Sequence, residues 1–123
     1  AGDMVARNLL GRCRRLEGYD ELDAIRKAFN FPIQSLATDL CLLVLNDIHC
    51  YLVENRMRSV LVGIVHDSIV VDAPQEEVDE VVALLKQAPE TLHFDWMTFP
   101  LTADISIGDR WGSLRNIEFR EGQ

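Results

Sequence analysis

Apolar positions change their spacing along this chain, and each change marks an element. From Glu21 onward Leu22, Ile25, Ala28 and Phe29 recur at helical spacing until Pro32. The proline ring disfavours helical geometry in the residue before it, which predicts a break at Phe31. Proline is accepted in the first turn of a helix, so a second helix is expected from Ile33 to about Glu54, long enough at ~1.5 Å per residue to cross a domain. It is apolar on nearly every side through Leu45, which predicts a central, buried helix with Leu43 in its core. Two β-branched runs follow, one ending at Val65 and the other resuming at Ile69, with His66-Asp67-Ser68 between them. They read as a buried hairpin with an acid at its turn.

Pro74-Gln75-Glu76-Glu77 opens a third helix, with acids where the helix dipole favours them. Val78, Val81, Val82 and Leu85 give it a buried stripe, and Pro89 should end it near Gln87. Pro100 to Gly108 alternates Leu101, Ala103, Ile105 and Ile107 on one face, as a half-buried strand does. Met4 to Leu16, with Gly11 and arginines among short apolar groups, fits either a hairpin or a loop. The order helix, helix, strand, strand, helix, strand predicts an α+β fold: a small antiparallel sheet with a central hairpin, packed on two or three helices. No repeat, low-complexity stretch or linker divides the chain, so residues 1–123 read as a single domain.

Composition narrows the class without naming a function. At 48% hydrophobic residues over 123 positions the chain can bury a modest core. Its longest uncharged apolar run is Leu40 to Leu45, far short of the roughly 18 residues a membrane span requires, and no signal segment opens the chain. A soluble, intracellular protein is expected, with no membrane partner. Cys13, Cys41 and Cys50 are odd in number and lack a C-x-x-C spacing, against a disulfide scaffold or a zinc site. The net charge of −8 argues against nucleic acid as a partner. Yet Arg7, Arg12, Arg14, Arg15, Arg26 and Lys27 put half of the twelve basic residues in the first quarter.

The chemistry-bearing residues fall into two groups. His66-Asp67-Ser68 is a poor tight turn, because Asn-Gly, Asp-Gly or Gly-x better tolerate the positive φ such turns need. A local rule broken on a rigid two-stranded support points to chemistry, although an exposed polar turn has the same pattern. Asp67 alone does not make a magnesium site. Asp104, on the later strand, is the candidate second acid by topology, or it faces solvent opposite Leu101 and Ile105. Arg26, Asn30 and Gln34 are four apart on either side of Pro32. On a continuous helical path they would share one face; otherwise Asn30 caps the second helix on a solvated face. As a row they would suit a duplex minor groove, whose acceptors are common to every base pair. Ser68 lacks a nucleophile elbow, and His49 and His93 have no metal-ligand spacing to His66.

Taken together these segments resemble the C-terminal portion of the palm of family A DNA polymerases. Gly11-Arg12-Cys13-Arg14 is similar to the family's Gly-Arg-x-Arg element. Arg26 through Ser35, followed by Ala37 and Asp39, looks like its R-x-x-x-N-x-P-x-Q-(G/S)-x-A-x-D signature. Val65-His66-Asp67-Ser68 resembles its third polymerase motif, and Pro100 through Gly112 its closing strand and Gly-x-x-Trp end. The likeness covers roughly residues 8 to 112 and is most specific in its second and third segments.

The resemblance implies that Asp67 is one of two aspartates holding a catalytic magnesium pair, with His66 beside the primer terminus. It implies that Arg26, Asn30 and Gln34 face the minor groove of primer-template DNA. It also implies a deoxynucleotide triphosphate as substrate and a cytoplasmic setting, bacterial or in a phage-infected cell. Departures matter as well. Ser68 stands where many members carry Glu, and Ser35 suggests a phage-like branch. The family's first palm motif, with the other metal-binding Asp, and its fingers helix are absent from this sequence. The chain is thus expected to be a partial domain, inactive alone, whose partner is the remaining polymerase: N-terminal palm, fingers and thumb. A different class is a non-catalytic interaction module that docks on that missing half. A phosphohydrolase using His66-Asp67 would need further ligand clusters the sequence lacks.

Overall fold

A computed structural model describes residues 4–119. The expected α+β class is found, with two α-helices and three two-stranded antiparallel sheets among the described residues. Two compact units divide the chain. One takes in the residues up to Leu45 together with Gly63–Val70; the other takes in Asn46–Val62 and the chain from Val71 onward.

In the first unit, Met4 to Leu16 resolves as a hairpin. β1 (Val5–Arg7) pairs antiparallel with β2 (Cys13–Arg15), with Ala6 opposite Arg14. The loop between them is built on Asn8, whose Oδ1 accepts from the backbone N–H of Leu10 and of Arg12, each at 3.0 Å. Gly11 sits at φ +88°, a left-handed conformation that costs a residue with a Cβ about 1–2 kcal/mol. Ala6, Leu16 and Ala24 form this unit's core, with Ala28 and Phe31 packed against them.

The predicted break at Pro32 does not occur. A single helix, α1, runs Glu21–Glu54 with Pro32 inside it, capped at its start by Asp20, whose Oδ1 accepts from the Asp23 N–H at 2.9 Å. Proline inside a helix forfeits one backbone bond and crowds the carbonyl four residues back, at a cost of about 3 kcal/mol. The hairpin offsets that cost by holding α1 on both sides of the proline. Ala24, Ala28 and Phe31 pack on its apolar residues before Pro32, while Asn8 and Arg12 bind Ser35 and Asp39 after it. Asn30 is therefore mid-helix and not a cap.

An 18-residue window of α1 has mean hydropathy 1.5, enough by composition to cross a bilayer. Asp39, a charge within the helix, is held by partners from the hairpin, as in a packed protein interior. The helix is not buried all round. Val44, Ile48 and Leu52 are covered, with Ile48 at 1% exposure, whereas Leu43 is 36% exposed and lies outside the core.

In the second unit α1 closes with Met57 N–H on Leu52 O and Arg56 N–H on Val53 O, a Schellman end with Arg56 at φ +53° where glycine is usual. β3 (Val60–Val65) and β4 (Ser68–Asp72), of which Gly63–Val70 belongs to the first unit, are hydrogen-bonded neighbours joined by the two-residue turn His66-Asp67, which makes them antiparallel. The hairpin is not buried as expected: Val60, Val62 and Ile64, which alternate onto one face of β3, are 55%, 63% and 36% exposed. α2 spans Val78–Thr91 with Val81 and Ala88 buried. It runs past Pro89, whose ring is itself buried. The expected strand at Pro100 to Gly108 shortens to β5 (Ser106–Ile107), paired with β6 (Arg115–Asn116). Gly108 is required there, since a Cβ would lie 2.5 Å from the Ser113 carbonyl oxygen.

Candidate nucleic-acid interface

Because α1 is continuous, Arg26, Asn30 and Gln34 fall at i, i+4 and i+8 of one helix and share a face. They line one groove of about 440 Å³ in the first unit, together with Arg14 from β2, Asp23, Lys27, Phe31, Ser35 and Thr38. The Thr38 hydroxyl donates to the Gln34 carbonyl at 3.1 Å, leaving the Gln34 side chain free of that bond. Arg14, Arg26 and Lys27 outnumber the one carboxylate, Asp23, along a groove in an otherwise acidic chain. Long amide and guanidinium donors with local positive charge suit a polyanion that also displays hydrogen-bond acceptors.

The hairpin tip belongs to the same unit. Cys41 Sγ–H donates to the Asp67 backbone carbonyl at 3.7 Å. Cys41 lies seven residues beyond Gln34, close to two full turns, so it is on the face that carries Asn30 and Gln34 and about 10 Å further along. Burial and, second to it, the Asp67 charge push the Cys41 thiol above its usual range. Asp67 and His66 are both exposed. His66 takes φ +56°, and only the first of the two turn residues does so, as in a type II′ turn. A β-carbon at that φ stores strain, and such strain concentrates at functional sites.

Adjoining the groove, whose edge includes Ser35, Asp39 is 8% and Asn8 7% exposed. Asn8 Nδ2 donates to Asp39 Oδ2 at 2.7 Å and to Ser35 Oγ at 3.0 Å. Arg12 Nε donates to both Asp39 oxygens, at 2.8 and 3.0 Å, and its Nη2 lies 2.5 Å from Oδ1. The Arg12 guanidinium, with Asn8 second, holds the Asp39 carboxyl below the usual carboxylate range. Arg12 is thereby committed to the hairpin–helix joint, whereas Arg14, two residues on, reaches the groove.

Of the residues singled out from sequence, Arg26, Asn30 and Gln34 come together, and His66 and Asp67 share the turn. Asp104 is an exposed residue before β5. Among the described residues no three His, Cys, Asp or Glu side chains converge as a metal cage. Asp67 is one oxygen ligand for an ion that takes six, so the donor set present does not by itself fit magnesium. Arg14 and Lys27 were marked by sequence only as members of the N-terminal basic cluster and, for Arg14, of the Gly-Arg-x-Arg element, without a place in this groove; Tyr19 gave no signal.

A profile of DNA polymerase family A matches residues 3–113. The chain is 32% identical over 111 residues to the DNA polymerase I of Chloroflexus aurantiacus, covering 86% of this chain and 12% of that protein. It is 35% identical over 120 residues to the DNA polymerase of Bacillus phage SP01, with 88% and 13% covered. With the thermostable DNA polymerase I of Thermus thermophilus the identity is 36% over 92 residues, with 75% and 11% covered. The chain thus spans about an eighth of the length of these relatives.

Proposed function

The chain belongs to DNA polymerase family A, and from that premise we propose that it is the part of such an enzyme that holds the minor groove of primer-template DNA and offers Asp67 to the catalytic metal site. One observation carries the reading: Arg26, Asn30 and Gln34 line a single groove on the helix face to which Cys41 ties the Asp67 turn. The three side chains span about 12 Å of helix, the length of three to four base-pair steps at ~3.4 Å each. Their donors meet minor-groove acceptors present on every base pair, so they test pair geometry rather than sequence. A mismatch disturbs those bonds and misplaces the primer end, which lowers the rate. His66 lies beside that primer terminus.

Magnesium, when bound, supplies activation of the attacking hydroxyl and charge neutralisation of the phosphates. Asp67 would be one of its carboxylate ligands, and the others come from polymerase segments outside this chain. The reaction is nucleotidyl transfer from a deoxynucleotide triphosphate in DNA replication or repair, in a bacterial or phage-infected cytoplasm. The N-terminal palm, fingers and thumb complete the enzyme, and this chain alone is inactive.

A second, compatible reading is a module that docks on the missing half. It is favoured by the exposed apolar row Val60, Val62 and Ile64. The test of the catalytic reading is primer extension by the purified chain, with and without the N-terminal remainder of a matching polymerase, using Asp67 and Asp67→Asn. Extension only in the mixture, lost with Asp67→Asn, is expected. Extension indifferent to Asp67 would remove the catalytic role and leave the docking module.

A further inference from the structure

We propose that Arg14 and Lys27, gathered on the Tyr19 ring, form a phosphate-binding wall on this groove, and that it takes the phosphodiester backbone of the strand whose base edges face Arg26, Asn30 and Gln34. The proposal rests on the duplex-binding reading above. It adds Tyr19 and Lys27, which occupy no fixed position in any of the motifs quoted for this chain.

Tyr19 braces both cations. The Lys27 ammonium lies 4.2 Å from the centre of its ring and the Arg14 guanidinium 5.9 Å, within reach of cation–π attraction. Arg14 Nη2 also donates to the Tyr19 hydroxyl oxygen at 3.4 Å. Arg14, with Lys27 a smaller contributor, lowers the Tyr19 phenol below its usual range.

Two cations gathered on one ring repel each other, and the ring offsets little of that at an exposed site. The Asp23 carboxylate, 3.7 Å from Lys27 Nζ, answers one of them. Arg14 and Arg26 line the groove beside that pair, so an unbalanced positive charge faces it in a chain of net charge −8. Such an arrangement is relieved by an anion in the groove.

The anion's class follows from what adjoins the wall. A forked guanidinium and a compact ammonium both suit phosphate oxygens. Asn30 and Gln34, the next positions along the groove, are neutral amides suited to base edges and not to further charge. A backbone phosphate with bases to one side satisfies both halves; a free phosphate satisfies only the first.

The test is fluorescence anisotropy of a labelled primer-template duplex titrated with this chain from low to moderate salt. Lys27→Gln should weaken binding about threefold to tenfold and reduce the salt slope by about one. Tyr19→Leu should do the same by unbracing Lys27, whereas Tyr19→Phe, which keeps the ring, should stay near wild type. Circular dichroism identifies any variant that fails to fold, and if Tyr19→Leu does, Lys27→Gln decides. If Arg26→Ala weakens binding while Lys27→Gln leaves affinity and slope unchanged, the wall is refuted and the duplex reading survives. Absence of duplex binding by the wild-type chain at low salt overturns both.

Discussion

Arg12 grips Asp39 through both carboxylate oxygens, at 2.8 and 3.0 Å from Nε, and so ties the β1–β2 hairpin to α1 two turns beyond Pro32. Leu16 and Ala6 of the same hairpin pack around Ala24 before the proline. The helix is continuous because tertiary contacts on both sides outweigh a local preference for a break, and continuity is what aligns Arg26, Asn30 and Gln34.

If the proline is carried by that brace, removing it should relieve the helix. Pro32→Ala restores an N–H for the Ala28 carbonyl and removes the ring clash, so it should stabilise the chain by up to about 3 kcal/mol in urea unfolding. A loss of stability would mean that the half-buried ring itself is needed for packing.

The same joint sets a pH dependence. Asp39 is held below its ordinary value of 3.8, first by Arg12 and then by Asn8. Its unfolded state therefore binds protons more readily than its folded state. The stability it contributes is complete above the unfolded value and is lost as pH falls through the folded one. Glu77, lowered first by the Ser59 hydroxyl, acts in the same direction. Urea midpoints measured from pH 6 downward should fall with acid, and Asp39→Asn should flatten that fall. Equal acid slopes for the two proteins would dismiss the joint as a source of acid sensitivity.

Sequence spacing located α1, α2 and the β3–β4 hairpin because each is long enough for its period to show. It misplaced what depends on distant residues. Pro32 reads as a break since nothing near it announces Asn8 and Arg12, which are 27 and more positions away from the residues they hold. Ile105 alternates correctly and is buried at 5%, but pairing with β6 limits the strand to two residues. The groove's row was legible as i, i+4, i+8, whereas Tyr19 became visible only when the backbone brought its ring to Lys27.

The apolar run Leu40 to Leu45 misled on burial for a related reason: continuous hydrophobicity does not say which side is covered. Ile48 is 1% exposed and Leu43 36%. Ile48→Ala should therefore cost on the order of 2–5 kcal/mol, and Leu43→Ala distinctly less, by urea unfolding of each variant. Equal losses would return Leu43 to the core.

His66 offers a trade between stability and function at the turn. Its φ of +56° costs a residue with a Cβ about 1–2 kcal/mol, and glycine is exempt. His66→Gly should thus raise the unfolding free energy by about 1 kcal/mol, since the imidazole is exposed and little packing is lost with it. The proposed place of His66 beside the primer terminus predicts the opposite for activity: slower extension by the completed enzyme, despite the firmer fold. Proteins accept local strain where a side chain is needed for chemistry and not for packing. Paired measurements of unfolding and extension on the one variant separate the two roles, and a variant that is both more stable and fully active would strip His66 of its place at the primer end.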